Sequence, residues 1–179
     1  IGPLEMHREA GLPVDEITIA DRLKSASYRT ALFGKWHLGS AARFHPMERG
    51  FDEFYGFLEG DHSYVHPTEP AGTDNNPVLD GRKPVAAIGY LTDVLAGRAV
   101  EFITGEKSHP FFLYLAFNAP HVPMEATGEY LARFTHIVNE RRRIYAAMVS
   151  AMDDAIGRTV SALRSANLEG NTLIFFFSD

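Results

Sequence analysis

Two nearly pure apolar runs constrain this chain more than anything else in it. Residues 111–117 (Phe-Phe-Leu-Tyr-Leu-Ala-Phe) and 172–177 (Thr-Leu-Ile-Phe-Phe-Phe) have strand length, and neither alternates polar with apolar. A strand apolar on both faces belongs in a sheet covered by helices on both sides. Helical patterns alternate with the strands. Residues 17–27 space Ile19, Ala20, Leu23 and Ala26 along one helix face, and residues 28–33 then read as a strand. Thr92 is expected to N-cap a second helix that buries Val94, Leu95, Ala99, Phe102 and Ile103. The longest helix is expected over about 140–166, with Ile144, Met148, Met152, Ile156, Val160 and Leu163 as its stripe and Asn167 and Gly170 ending it. This alternation predicts an α/β fold with a mostly parallel sheet.

Between these elements, residues 40–89 are rich in Pro, Gly, His and Asp, with an aromatic cluster at Phe51, Phe54, Tyr55 and Phe57. A tract that long without regular structure is expected only where it lines or covers a site. His62 and His66 are four apart, a spacing that suits metal ligands on a helix, but their loop setting argues against zinc. Asp153 and Asp154 flank the stripe of the long helix and read as surface anchors. Arg141-Arg142-Arg143 reads as a solvated helix face.

Composition closes off several classes. Seventeen Lys and Arg against 23 Asp and Glu give a net charge of −6, which argues against nucleic acid as partner. With no cysteine, the chain offers neither a thiolate nucleophile nor a thiolate metal site. No apolar run is long enough to span a bilayer, so no membrane partner is expected. Oligomeric state is not legible. Ile1 in place of a methionine, and Asp179 directly after an apolar run, are expected of a stretch cut from a longer chain.

In open α/β sheets ligands gather at the carboxyl ends of the strands. The strand ending at Phe33 runs into Lys35 and His37, within Gly34-Lys35-Trp36-His37-Leu38-Gly39. The strand ending at Phe117 runs into Asn118, Pro120 and His121, and the one ending at Phe177 into Ser178 and Asp179. Lys35 offers a fixed positive charge to an oxyanion, and the two histidines can donate or accept protons. Asp179 is a hard oxygen ligand suited to Ca²⁺ or Mg²⁺. Together they describe hydrolysis of a tetrahedral oxyanion ester, sulfate or phosphate. Trp36 reads as structural packing beneath the turn.

The hexapeptide at 34–39 resembles the second signature of the sulfatases. Tyr28-Arg29-Thr30, Arg49-Gly50-Phe51-Asp52, Thr92-Asp93, Pro120-His121-Val122-Pro123 and the closing Phe-Ser-Asp resemble that family in order and approximate spacing, over about residues 15–179. Residues 50–56 look most like aryl and N-acetylgalactosamine sulfatases. The resemblance implies an alkaline-phosphatase-like α/β/α sandwich, here a single partial catalytic domain over 1–179. It implies hydrolysis of aryl or carbohydrate sulfate esters in the complete protein. Lys35 would hold the nucleophile and the sulfate, and His37 would bond to the nucleophile. His121 would contact the sulfate or protonate the leaving group, and Asp179 would ligate Ca²⁺. A residue near His62-Ser63 would approach the substrate. Partners would be a sulfate-ester small molecule or a sulfated glycan, and the protein would be exported: periplasmic, secreted or lysosomal.

The chain also departs from the family pattern. The formylglycine nucleophile arises within Cys/Ser-x-Pro-Ser-Arg, and no such segment is present. The 179 residues alone are therefore expected to be inactive. Ser27 replaces a glycine common before the tyrosine, at a helix stop where left-handed backbone is expected. Two alternatives stay open at this point: a phosphoester or phosphonate-ester hydrolase of the same superfamily, and a non-catalytic anion- or glycan-binding relic.

Overall fold

A computed structural model describes residues 10–65, 76–86, 89–105 and 108–178. The first helix, α1 (Ile19–Ser25), starts at a capping box in which the Thr18 side chain accepts from Asp21 N while the Asp21 carboxylate accepts from Thr18 N. It is shorter than its periodicity suggests. Ile19 is 64% exposed, and Ala20 is the residue it buries.

A five-stranded sheet follows, comprising β1 (Arg29–Lys35), β2 (Glu53–Phe57), β3 (Leu79–Asp80), β4 (Lys83–Pro84) and β5 (Phe111–Ala116) in the order β4-β3-β2-β1-β5. The β2, β1 and β5 strands run parallel, with β3 and β4 added antiparallel beyond β2. Alternate residues of β1 and β2 point to opposite faces. Ala31, Phe33, Tyr55 and Phe57 pack on Leu91, Leu95, Ala99 and Phe102 of α2 (Leu91–Thr104). On the other face Leu32 and Phe54 pack with Ala20 of α1, Trp36 and Phe51. Burying each such Leu or Phe contributes roughly 1.5–3 kcal/mol. Helices thus cover both faces, as the α/β/α expectation requires.

Outside α2 lies α4 (Glu140–Ser165), joined by the short α3 (Gly128–Ala132). The interior line of α4 is built on small residues, with Ala147, Ala151 and Ala155 fully buried beside Met148. The larger residues of the expected stripe, Ile144, Met152, Ile156 and Val160, are only half-buried. Asp93 of α2 binds α4 and α3 together, accepting from Arg158 Nη2 at 2.5 Å and from the Tyr130 hydroxyl at 3.0 Å. Asp154 anchors Arg133 at 2.7 Å, the surface role its position suggests.

Three expectations are corrected. Residues 172–177 form no strand: Phe175, Phe176 and Phe177 are 77%, 76% and 70% exposed. Their apolar character sets a demand for burial, but a strand also needs a neighbour to pair with, and among the described residues none lies alongside. The 40–89 tract is not structureless. Its aromatic cluster belongs to β2 and the core, and two 3-10 turns, Ala42–Phe44 and Pro46–Glu48, occupy the crossover where a helix would be usual. Thr92 lies inside the first turn of α2, whose N-cap is Tyr90.

Candidate functional site

The parallel strands β1, β2 and β5 end side by side. Gly34 pairs with Gly56 and with Ala116, and Lys35 with Phe57. A Cβ at Gly34 would come within 1.9 Å of the Ala116 carbonyl oxygen, and its φ is +122°. Only glycine lets the strands meet this closely one residue before Lys35.

Lys35 is the last residue of β1 and is half-buried. Trp36 is driven into the core, its indole N–H donating to the Phe44 carbonyl at 2.9 Å. His37 N donates to Leu58 O at 3.0 Å, and its φ of +55° turns the chain out of the strand. The extended backbone that carries Lys35 therefore stops at Trp36. A non-glycine residue in left-handed backbone costs about 1 kcal/mol, a strain found more often at functional sites than elsewhere.

His121 follows β5 in a tight turn, its N–H donating to Asn118 O at 2.8 Å. The side chain is exposed, and its Nδ1 lies 2.8 Å from the Val122 carbonyl. A carbonyl can only accept, so Nδ1 carries the proton and Nε2 is the nitrogen left to face a reactant.

The third ending comes from β2 rather than from residues 172–177. Five residues past Phe57, His62 is 6% exposed, its ring 5.1 Å from that of Phe57 and its Nδ1 donating to the Ser63 carbonyl at 2.7 Å. Asn118, 3% exposed, donates from Nδ2 to the His62 carbonyl at 3.4 Å. Among the described residues His62 Nε2 and Asn118 Oδ1 have no hydrogen-bond partner. His66 and Asp179 lie outside the described residues, and no three His, Asp or Glu side chains among the described ones gather as a cation site requires. Lys35, His37 and His121 thus share one sheet edge, joined there by His62 and Asn118.

The loops after β2 and β5 are joined by residues that sequence reasoning passed over. Glu125 Oε2 accepts from Ser63 Oγ at 2.9 Å and from Tyr64 N at 2.7 Å. Tyr64, 1% exposed, donates its hydroxyl to the His121 carbonyl at 3.0 Å, and Tyr90 donates to the Glu125 carbonyl at 3.0 Å. Burial pushes both phenols up, Tyr90 to about 12, so both remain donors.

Comparison with known proteins places this edge in context. The sulfatase family profile matches residues 2–179. The N-acetylgalactosamine-6-sulfatase of Sus scrofa is 33% identical over 94% of this chain and 33% of its own length. Arylsulfatase J of Mus musculus is 34% identical over 94% of this chain and 29% of its own. The crystal structure of Ps i-CgsB in complex with k-i-k-neocarrahexaose superposes with a TM-score of 0.82 at 40% identity, covering 89% of this chain and 39% of that one. The chain belongs to the sulfatase family, with the alkaline-phosphatase-like α/β fold of its relatives, and spans about a third of the length of the curated relatives it matches.

Proposed function

We propose that the whole protein hydrolyses sulfuric esters of aryl or carbohydrate alcohols, with Lys35, His37 and His121 as catalytic residues and Lys35 and His121 meeting the sulfate. What supports this most is the gathering of one lysine and two histidines at a single sheet edge, in a chain that belongs to the sulfatases. A sulfate monoester is an anion, and Lys35 supplies the opposite charge at a half-buried position where it acts more strongly than in bulk water. When the bond from sulfur to the leaving oxygen breaks, its electron pair goes to that oxygen. His121 in its imidazolium form gives the Nε2 proton to the same oxygen. A formylglycine, expected outside these 179 residues, supplies the nucleophile, and His37 at the turn after β1 is the group to bond to it.

Calcium is part of the same proposal. Asp179 would hold the ion together with groups from elsewhere in the whole protein, because the described residues do not assemble a cation site by themselves. Sulfated glycans are the favoured substrates. One relative is an N-acetylgalactosamine-6-sulfatase, and a solved neighbour was crystallised with k-i-k-neocarrahexaose.

The test is kcat/KM of the full-length protein on matched aryl sulfate and aryl phosphate, with Lys35→Ala and His37→Ala alongside. Sulfate should be preferred, and each substitution should lower kcat about a hundredfold or more, the scale of losing an oxyanion partner or acid–base group. A preference for phosphate would make the protein a phosphoesterase instead. Undiminished turnover in either variant removes that residue from the site.

A further inference from the structure

His121 is the least sheltered of the candidate catalytic groups. Its side chain is exposed, and its ring bonds the carbonyl of the next residue, Val122. A ring held by its own local backbone is only as well placed as that backbone. The backbone is tied at two points: the His121 N–H to Asn118 O at 2.8 Å, and the His121 carbonyl to the Tyr64 hydroxyl at 3.0 Å.

Tyr64 is in turn fixed on every side. Its N–H binds the Glu125 carboxylate at 2.7 Å, its carbonyl accepts from Leu91 N at 2.9 Å, and its ring stacks on Tyr90 with centroids 5.8 Å apart. Glu125 closes the circuit four residues past His121, with Ser63 Oγ on the same carboxylate oxygen and Tyr90 on its carbonyl. The phenol remains a donor because burial holds its proton on. One network thus spans the loops after β2 and β5 and ends on the backbone of His121.

We propose that Tyr64 and Glu125 are positioning residues, which fix the backbone at His121 so that Nδ1–H stays bonded to the Val122 carbonyl and Nε2 is the nitrogen that takes up the second proton and, in the imidazolium form, gives it to the leaving group. The proposal rests on the reading of His121 as the leaving-group acid. A structural prop and a positioning device differ in what they affect. An acid matters most when the leaving oxygen is strongly basic and least when it leaves readily by itself.

The experiment compares Tyr64→Phe, Glu125→Ala and Glu125→Gln with wild type in the full-length protein, on an alkyl or sugar sulfate and on a nitrophenyl sulfate. Tyr64→Phe and Glu125→Ala should lose about tenfold or more in kcat on the poor leaving group and about threefold at most on the good one. Glu125→Gln keeps an acceptor oxygen and should recover most of the loss. Equal losses on both substrates, or none, overturn the proposal. If Tyr64→Phe does not fold, Glu125→Ala decides in the same way.

A second readout is independent of turnover. In ¹⁵N-histidine-labelled protein, the signal assigned by His121→Gln should report the Nδ1–H tautomer, and Tyr64→Phe should shift it toward Nε2–H. An unchanged tautomer overturns the positioning role. Wild-type protein that hydrolyses neither ester overturns the functional reading instead, and the tautomer shift still decides the role of the network.

Discussion

His45 sits under the crossover between β1 and β2, 5% exposed, its Nδ1 accepting from Met47 N at 3.2 Å and its ring edge-on to Phe54 at 5.2 Å. Burial first, and the Arg82 charge second, lower its pKa from 6.5 to about 4. The folded protein therefore keeps the ring neutral where the unfolded chain takes up a proton. This contribution is fully present above pH 6.5 and is lost as pH falls towards 4, by about 2–3 kcal/mol in total. His45→Gln, which retains an acceptor, should flatten the fall in denaturation midpoint between pH 7 and pH 4.5. A slope as steep as wild type would mean that another group causes it. At this scale the sequence was informative where a residue's place follows from a strand end. Lys35, His37, Asn118 and His121 were legible in that way. Tyr64 and Glu125 were not, because their importance lies in meeting each other across 61 residues of chain, which no local pattern records.

Element boundaries follow the same logic. At the end of α1, Tyr28 N bonds Leu23 O at 3.0 Å and Ser27 N bonds Lys24 O at 2.9 Å, with Ser27 at φ +65°. This is the paired closure that glycine makes best, as the sequence suggested. Ser27→Gly should stabilise the full-length protein by about 1 kcal/mol, read from the denaturant midpoint, because the left-handed strain disappears. A midpoint unchanged or lowered would show that the serine pays for itself through contacts in the folded state. Asn167, at φ +56°, ends α4 in the same fashion and was legible for the same reason. The β2 strand was hidden. Its five residues sit among turn formers, and no helix separates it from β1, so the alternation that revealed the other elements gave no cue.

For the whole molecule, apolar pattern foretold both faces of the sheet but misjudged its extent. Residues 172–177 combine high strand propensity with no charge and no proline, the composition of segments that pair between molecules, and Leu173 to Phe177 are exposed. The 179-residue chain by itself should self-associate, seen as a rising mass in light scattering at about 100 µM, the range in which exposed apolar segments aggregate. Phe175→Lys with Phe177→Lys should suppress the rise. A monomeric wild-type chain at that concentration would count against the segment as the cause.

The pairing of β1 with β5 also sets an order in time. Arg29 has Phe111 as its register partner, whereas Ala31 finds Glu53 much sooner along the chain. As the polypeptide emerges from the ribosome, one side of β1 can zip to β2 early. The other side, including the glycine contact beside Lys35, stays open until residues 111–116 arrive. The candidate site is thus one of the last parts of this sheet to be completed.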